Sequence, residues 1–137
     1  MDLMFHGVVI LTMLSFCIAS SPNSVYFVRM YVSNAVGDNI VVHVSGKNGE
    51  DDQGNQTIYS DEEFDWKFGV KLGTYYKGEF WWGSKYASVG LFNSHISCFD
   101  GDIFRVQRCY WLVNPDGFWY NKHNATFPGE WERRATW

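Results

Sequence analysis

Residues Cys109 to Tyr120 read as a β-hairpin. The strand-forming run Cys109-Tyr110-Trp111-Leu112-Val113 meets a turn at Asn114-Pro115-Asp116-Gly117 and continues as Phe118-Trp119-Tyr120. Pro115 presets φ at about −65° for the first corner of a type I turn. Asp116 can bond its own backbone, and Gly117 can take the left-handed conformation that closes the hairpin. The flanking aromatic and branched residues suit a pleated, half-buried surface. The same grammar recurs along the chain. In Phe64-Asp65-Trp66-Lys67-Phe68 aromatics alternate with charges, Tyr26, Val28, Met30 and Val32 share a face, and so do Ile40, Val42 and Val44. Thr74 to Trp82 alternates in the same way and Tyr86 to Phe92 is a further strand, with turn material at Gly37 to Asn39, Gly46 to Gly54, Gly69 to Gly73 and Phe99 to Asp102. A helix would scatter these side chains around its circumference. The expectation is a single all-β domain, a small antiparallel β-sandwich of about 7–8 strands. Beyond Tyr120 the alternation dissolves, and residues 121–137 read as a tail.

The N-terminus reads differently. Val8 to Phe16 is almost continuously apolar, short of the roughly 20 residues that span a bilayer, and Cys17 and Ala19 fit a cleavage site before Ser20. Residues 1–19 are therefore expected to be a secretory signal peptide and residues 20–137 the mature domain, although the usual positive start is missing. Removing Asp2 with the leader takes the formal charge from −4 to −3. Eleven basic residues are scattered singly apart from Arg133-Arg134, which argues against nucleic acid. No membrane-surface helix or inserted segment is visible in the mature chain. Cys17 would leave with the leader, so Cys98 and Cys109 have only each other in an oxidising compartment. A bridge between them would be worth about 2–4 kcal/mol; the alternative is two buried free thiols. Two sequons, Asn55-Gln56-Thr57 and Asn124-Ala125-Thr126, lie in polar, turn-like stretches and point to glycosylation at Asn55 and Asn124.

Catalytic patterns are sparse. His43, His95 and His123 are far apart and lack zinc spacings; His43, on the polar face of a strand, reads as a hydrogen-bonded structural residue. There is no Gly-x-Ser-x-Gly elbow and no phosphate-cradling glycine loop. Glu50-Asp51-Asp52, and Asp61-Glu62-Glu63 with Asp65, could hold Ca²⁺ or form a glycosidase pair. Without Asp-x-Asp-x-Asp-Gly spacing they read as a solvated loop and a polar sheet face, and neither metal nor cofactor is expected. Aromatic residues make up 19% of the chain, enough to raise sugar stacking on Tyr75, Trp81, Trp119 and Trp131. Pairing across strands on an outer sheet face is the competing use of such rings.

In their order and spacing, these features resemble the plant self-incompatibility S1 family, the S-protein homologues, from about Val25 to Tyr120. Val32-x-Asn34 is similar to the family's first strand and its exit. Val42-His43-Val44, Ser45 and Asp51-Asp52-x-Gly54 are similar to its Val-His-Cys-x-Ser, acidic loop and Leu-Gly. Phe64-x-Trp66-x-Phe68, Gly73-Thr74 and Phe80-x-Trp82 match its central strands, and Cys109-Tyr110-Trp111-x-Val113-x-x-Asp116-Gly117-Phe118 its closing hairpin. The family usually carries four cysteines, and here Val44 and Gly78 occupy the first two positions. Either a whole bridge has been lost, or Cys98 and Cys109 are mismatched remnants. Val44 could fill its vacancy, whereas Gly78 would leave a gap and weaken its strand.

The resemblance implies a secreted β-sandwich that acts as a non-enzymatic signal, in the best-known members a stigma protein that triggers rejection of self pollen through a plasma-membrane receptor ectodomain. Exposed loops would carry recognition. The expected loops are Lys47 to Gln53, with Glu50, Asp51 and Asp52, and Asn93 to Gln107, with His95 and Arg105. An acidic first loop would favour a basic patch on the receptor. The alternatives are a cell-wall carbohydrate-binding module, with a planar Trp/Tyr platform on one sheet face, and, third, an apoplastic hydrolase.

Overall fold

The computed structural model describes residues 24–96 and 98–137. The expected signal peptide, residues 1–19, lies outside the described residues. Nine strands form in chain order: β1 (Tyr26–Asn34), β2 (Ile40–Gly46), β3 (Asn55–Ile58), β4 (Glu63–Val70), β5 (Tyr76–Trp82), β6 (Lys85–Phe92), β7 (Gln107–Asn114), β8 (Gly117–Asn121) and β9 (Glu132–Ala135). They make two sheets, β4-β1-β7-β8-β9 and β3-β2-β5-β6, so the architecture is the expected all-β sandwich. Alternation decides which side chains meet between the sheets. Val28, Met30 and Val32 from β1 and Trp111 and Val113 from β7 are fully buried with Val42, Val44 and Phe80 of the other sheet. Phe80 meets Phe118 across the gap at 4.7 Å between ring centroids, and Phe68 meets Phe92 edge-on at 5.1 Å.

The topology departs from a purely antiparallel sandwich in one place. β1 and β7 run parallel, with Val28 opposite Gln107 and Asn34 opposite Val113. Parallel neighbours need a long crossover, and β2 to β6 supply it. The count exceeds expectation because β3 and β9 carry no apolar alternation; both are short strands at sheet edges. Asn55 accordingly opens β3 rather than lying in a turn, with its side chain exposed at the sheet edge.

Residues 121–137 are not a tail. Asn121 ends β8, the chain turns through 122–131, and β9 pairs antiparallel with β8, Trp119 opposite Arg133. Trp137 then lies against Phe118 at 4.8 Å and donates its indole N–H to the Asn114 carbonyl at 2.9 Å. The β7–β8 turn is held by Asn114 rather than by Asp116. The Asn114 side-chain oxygen accepts from the amides of Asp116 (3.0 Å) and Gly117 (3.1 Å) and from the Trp119 indole (2.9 Å).

Register also fixes which loops share an end. Gly46 pairs with Tyr76 and Tyr76 with Phe92, so the chain leaves β2, enters β5 and leaves β6 at the same end of the sandwich. Both loops singled out in the sequence therefore start there.

Candidate functional site: the loop end of the sandwich

The first loop, 47–53, is tied down by the carboxylates expected to face a partner. Asp51 Oδ2 accepts from the Tyr76 hydroxyl at 2.5 Å, while its Oδ1 accepts from the Gln53 amide at 3.0 Å. Asp52 Oδ1 accepts from the Gly54 backbone N–H at 2.7 Å and meets His43 Nε2 at 2.6 Å. The Gly54 amide and His43 hold the Asp52 carboxyl below the usual carboxylate range. Burial, and then the bond to Asp51, push the Tyr76 hydroxyl well up. Glu50 is exposed, and its carbonyl accepts from the Gly46 amide at 2.7 Å. His43 lies on the outer face of β2 between Asp52 and Glu79, whose Oε2 is 3.6 Å from its Nδ1. It is hydrogen-bonded, as its place on the polar face of β2 suggested. Two of the three acidic residues thus act inside the protein, fastening the loop to β2 and β5.

The second loop is built differently. The disulfide Cys98–Cys109 anchors it to β7, with the two Cα atoms 5.5 Å apart. Gln107, the first residue of β7, is almost wholly buried and spends its carboxamide on the loop backbone. Its oxygen accepts from the Asp100 N–H at 2.9 Å, and its nitrogen donates to the carbonyls of Asp102 (2.8 Å) and Arg105 (3.1 Å). Two aspartates close successive turns: Asp100 accepts from the Asp102 amide and Asp102 from the Phe104 amide, each at 2.9 Å. The Asp102 amide, with Arg105 beside it, holds the Asp100 carboxyl below its usual range. Arg105 pairs with Asp100 at 2.9 Å. This polar frame leaves apolar side chains outside, Phe104 at 94% and Ile103 at 46% exposure, with Phe99 and Val106 also exposed. His95 is exposed at the start of the loop, and its amide donates to the Asn93 side chain at 2.8 Å.

Beside this loop lies an open cleft of about 580 Å³, walled by Phe99, Asp100, Arg105 to Arg108 and Tyr110 on one side and Lys122, His123 and Asn124 on the other. The structure therefore gathers Arg105 and the sequon residue Asn124 into one feature. Glu50 and Asp51 line a separate cleft with Lys71 and Tyr76. Sequence reasoning missed Arg108 and Lys122, and took Gln107 only as the end of the second loop. The only signal for Gln107 was a polar residue opening the inward-facing register of β7, and no pattern in the chain announced that Lys122 would return beside Arg108.

The family model for plant self-incompatibility protein S1 matches residues 29–137. The chain belongs to this family. No curated protein matches the sequence. Among solved structures the S1 chain is similar to one described as that of "SPH (Self-Incompatibility Protein Homologue) proteins, a widespread family of small, highly stable, secreted proteins from plants". The two share 12% identity at a TM-score of 0.50, over 74% of this chain and 89% of the other, a likeness of fold.

The positions that the resemblance assigns to the cysteines lie close together in the fold. Val44 and Gly78 are direct cross-strand partners on β2 and β5, while Cys98 and Cys109 are bonded to each other. Gly78 does not leave a gap. A Cβ there would stand 2.6 Å from the Phe80 ring and 2.8 Å from Leu91, which fill the space.

The aromatics considered for sugar stacking are not brought together on one face. Trp81 packs on Tyr86 in the β5–β6 pair, whereas Trp119 lies on the other sheet between Phe127 (5.1 Å, edge-on) and the Arg133 guanidinium. Trp131 packs against Phe127 and bonds the Ala125 carbonyl. Tyr75 belongs to the wall of the first-loop cleft. Among the described residues no three His, Cys, Asp or Glu side chains converge as a metal-holding group.

Proposed function

We propose that this S1-family protein is a secreted, non-enzymatic signalling ligand of the S-protein homologue type, recognised by a plasma-membrane receptor ectodomain at the loop end of the sandwich. The observation that carries this reading is the loop of 98–107. Its backbone is braced by a disulfide, a buried glutamine and two aspartate turns, while Ile103 and Phe104 project outward. Ordering the loop in advance reduces the entropy lost on binding, and a projecting aromatic is the side chain that dominates interface energetics when it fills a pocket. The first loop is secondary, because Asp51 and Asp52 are engaged within the fold. Secretion agrees with the disulfide and with exposed sequon asparagines, and N-glycans at Asn55 and Asn124 belong to the same proposal. A role in self-pollen rejection is the specific form that the family suggests.

The test is binding of glycosylated protein to plant plasma-membrane vesicles. Replacing Ile103 and Phe104 with Ser is expected to weaken saturable binding on the order of tenfold or more, a hot-spot effect, without lowering thermal stability. Unchanged binding by that variant would remove the loop from the function.

A further inference from the structure

The cleft beside the second loop differs in charge from the chain that carries it. The protein is acidic, at −4. The cleft wall nevertheless brings Arg105, Arg108 and Lys122 together with a single carboxylate, Asp100, which is already paired to Arg105 at 2.9 Å. Arg108 and Lys122 have no ion-pair partner among the described residues. The fold itself keeps carboxylates away from Arg108. Its parallel neighbour across β1–β7 is Arg29, and Arg29 is occupied by Asp65 of β4 on its far side at 2.5 Å. Lys122 follows β8 directly, and the antiparallel pairing of Asn121 with Tyr110 brings it back beside the start of β7. Two uncompensated cations thus flank a concave surface whose remaining walls include Phe99, Val106 and Tyr110. Tyr31 stacks on the Tyr110 ring at 5.0 Å and 11°, fixing that wall. Phe104 and Ile103 stand on the same loop.

Resting on the receptor reading above, we infer that the partner's contact segment is acidic and partly apolar, and that its carboxylates enter this cleft against Arg108 and Lys122. The partner's charge is therefore the opposite of the one that the acidic first loop suggested. A guanidinium can grip a carboxylate through two parallel hydrogen bonds, and the ammonium of Lys122 adds a second positive charge. The apolar walls receive the side chains between the acidic ones, which separates this site from a mere counterion patch. Complementary charge at an open rim acts mainly on encounter rate and salt dependence.

A synthetic hexapeptide alternating Glu and Leu, titrated into the intact domain and followed by NMR, reads the cleft directly. Amide shifts are expected at 98–108 and 122–124, and not at 47–53, with affinity that falls as salt rises. Arg108→Gln with Lys122→Gln should weaken the peptide on the order of tenfold and flatten the salt dependence. Arg108→Lys, which keeps charge but loses the fork, should retain the salt dependence and lose part of the affinity; unchanged thermal melts show that these exposed replacements leave the fold intact. A Lys/Leu hexapeptide should not bind. Shifts confined to the first loop, or equal affinity in the double glutamine variant, overturn the inference. So does a soluble polyuronate binding the cleft more tightly than the peptide, which would make the site one for acidic polysaccharide. The vesicle assay separates the two levels. If Ile103→Ser with Phe104→Ser abolishes vesicle binding while the double glutamine variant keeps both affinity and salt slope, the receptor reading stands and the acidic-partner inference falls. If the Ser pair and the glutamine pair both bind like the parent, the receptor reading falls with it.

Discussion

A methyl group is too large for position 78. The Cβ of Gly78→Ala would press on the Phe80 ring and on Leu91, two of the most completely buried side chains of the core. Overpacking of this kind costs about 1–3 kcal/mol, and urea unfolding of the variant should show it. A stability equal to the parent's would mean that the ring can swing aside and that the space around position 78 is soft. Placing a cysteine pair there, Val44→Cys with Gly78→Cys, is for the same reason expected to destabilise unless Leu91 is also made smaller. None of this is legible in sequence, because a glycine read alone looks like a hole, and only the packing shows which neighbour has moved into it. The carboxylates of the first loop make a related point. Asp51 and Asp52 look solvated in a polar run, yet the hydroxyl of Tyr76 and the ring of His43, distant in sequence, reach them through the β2–β5 pairing.

At the scale of elements, β9 closes the edge of its sheet and carries Trp137 to the core. Its passage over the β7–β8 turn explains Gly117, which has φ +141°; a Cβ there would collide with the Ala135 carbonyl oxygen. Trp137 covers Phe118 and Trp82 and satisfies the Asn114 carbonyl. Trp137→Ala is expected to cost about 2 kcal/mol, below the usual penalty for a fully buried aromatic because the side chain is only partly covered. Denaturant titration reads that loss, and a change within error would assign β9 to decoration rather than structure. The strands legible in advance were those whose apolar residues repeat every second position, β1, β2, β4, β5, β6 and the β7–β8 hairpin. The strands β3 and β9 were not, since Asn55–Ile58 and Glu132–Ala135 are edge strands with mostly exposed side chains and leave no period to read. The parallel β1–β7 pair was equally invisible. Local alternation specifies which face of a strand is buried, and says nothing about the direction of a neighbour dozens of residues away.

For the molecule as a whole, the polar frame of the loop end ties stability to pH at both extremes. Asp52 and Asp100 have carboxyls held below the ordinary 3.8 by backbone amides together with His43 and Arg105. The unfolded chain therefore takes up protons first as pH falls through 3.8, and the contribution of these bonds, complete above that value, is lost progressively below it. Tyrosines act at the other limit. Burial raises Tyr120 from 10.0 to about 12, and burial with the Asp51 bond raises Tyr76 further. Above pH 10 the unfolded chain releases phenolic protons that the native state keeps, so stability that is full below that pH falls as pH climbs toward 12. Urea midpoints measured between these limits should form a plateau with two falling limbs. Asp52→Asn with Asp100→Asn should flatten the acid limb and leave the alkaline one, while Tyr120→Phe should do the reverse. Because both aspartates sit on the two loops at one end of the sandwich, the acid limb should first appear as exchange of amides in 47–54 and 98–107, before the sheets open. Simultaneous exchange of the loop and core amides would instead mean that the recognition end and the sandwich unfold as one unit, with the disulfide at Cys98–Cys109 as the joint between them.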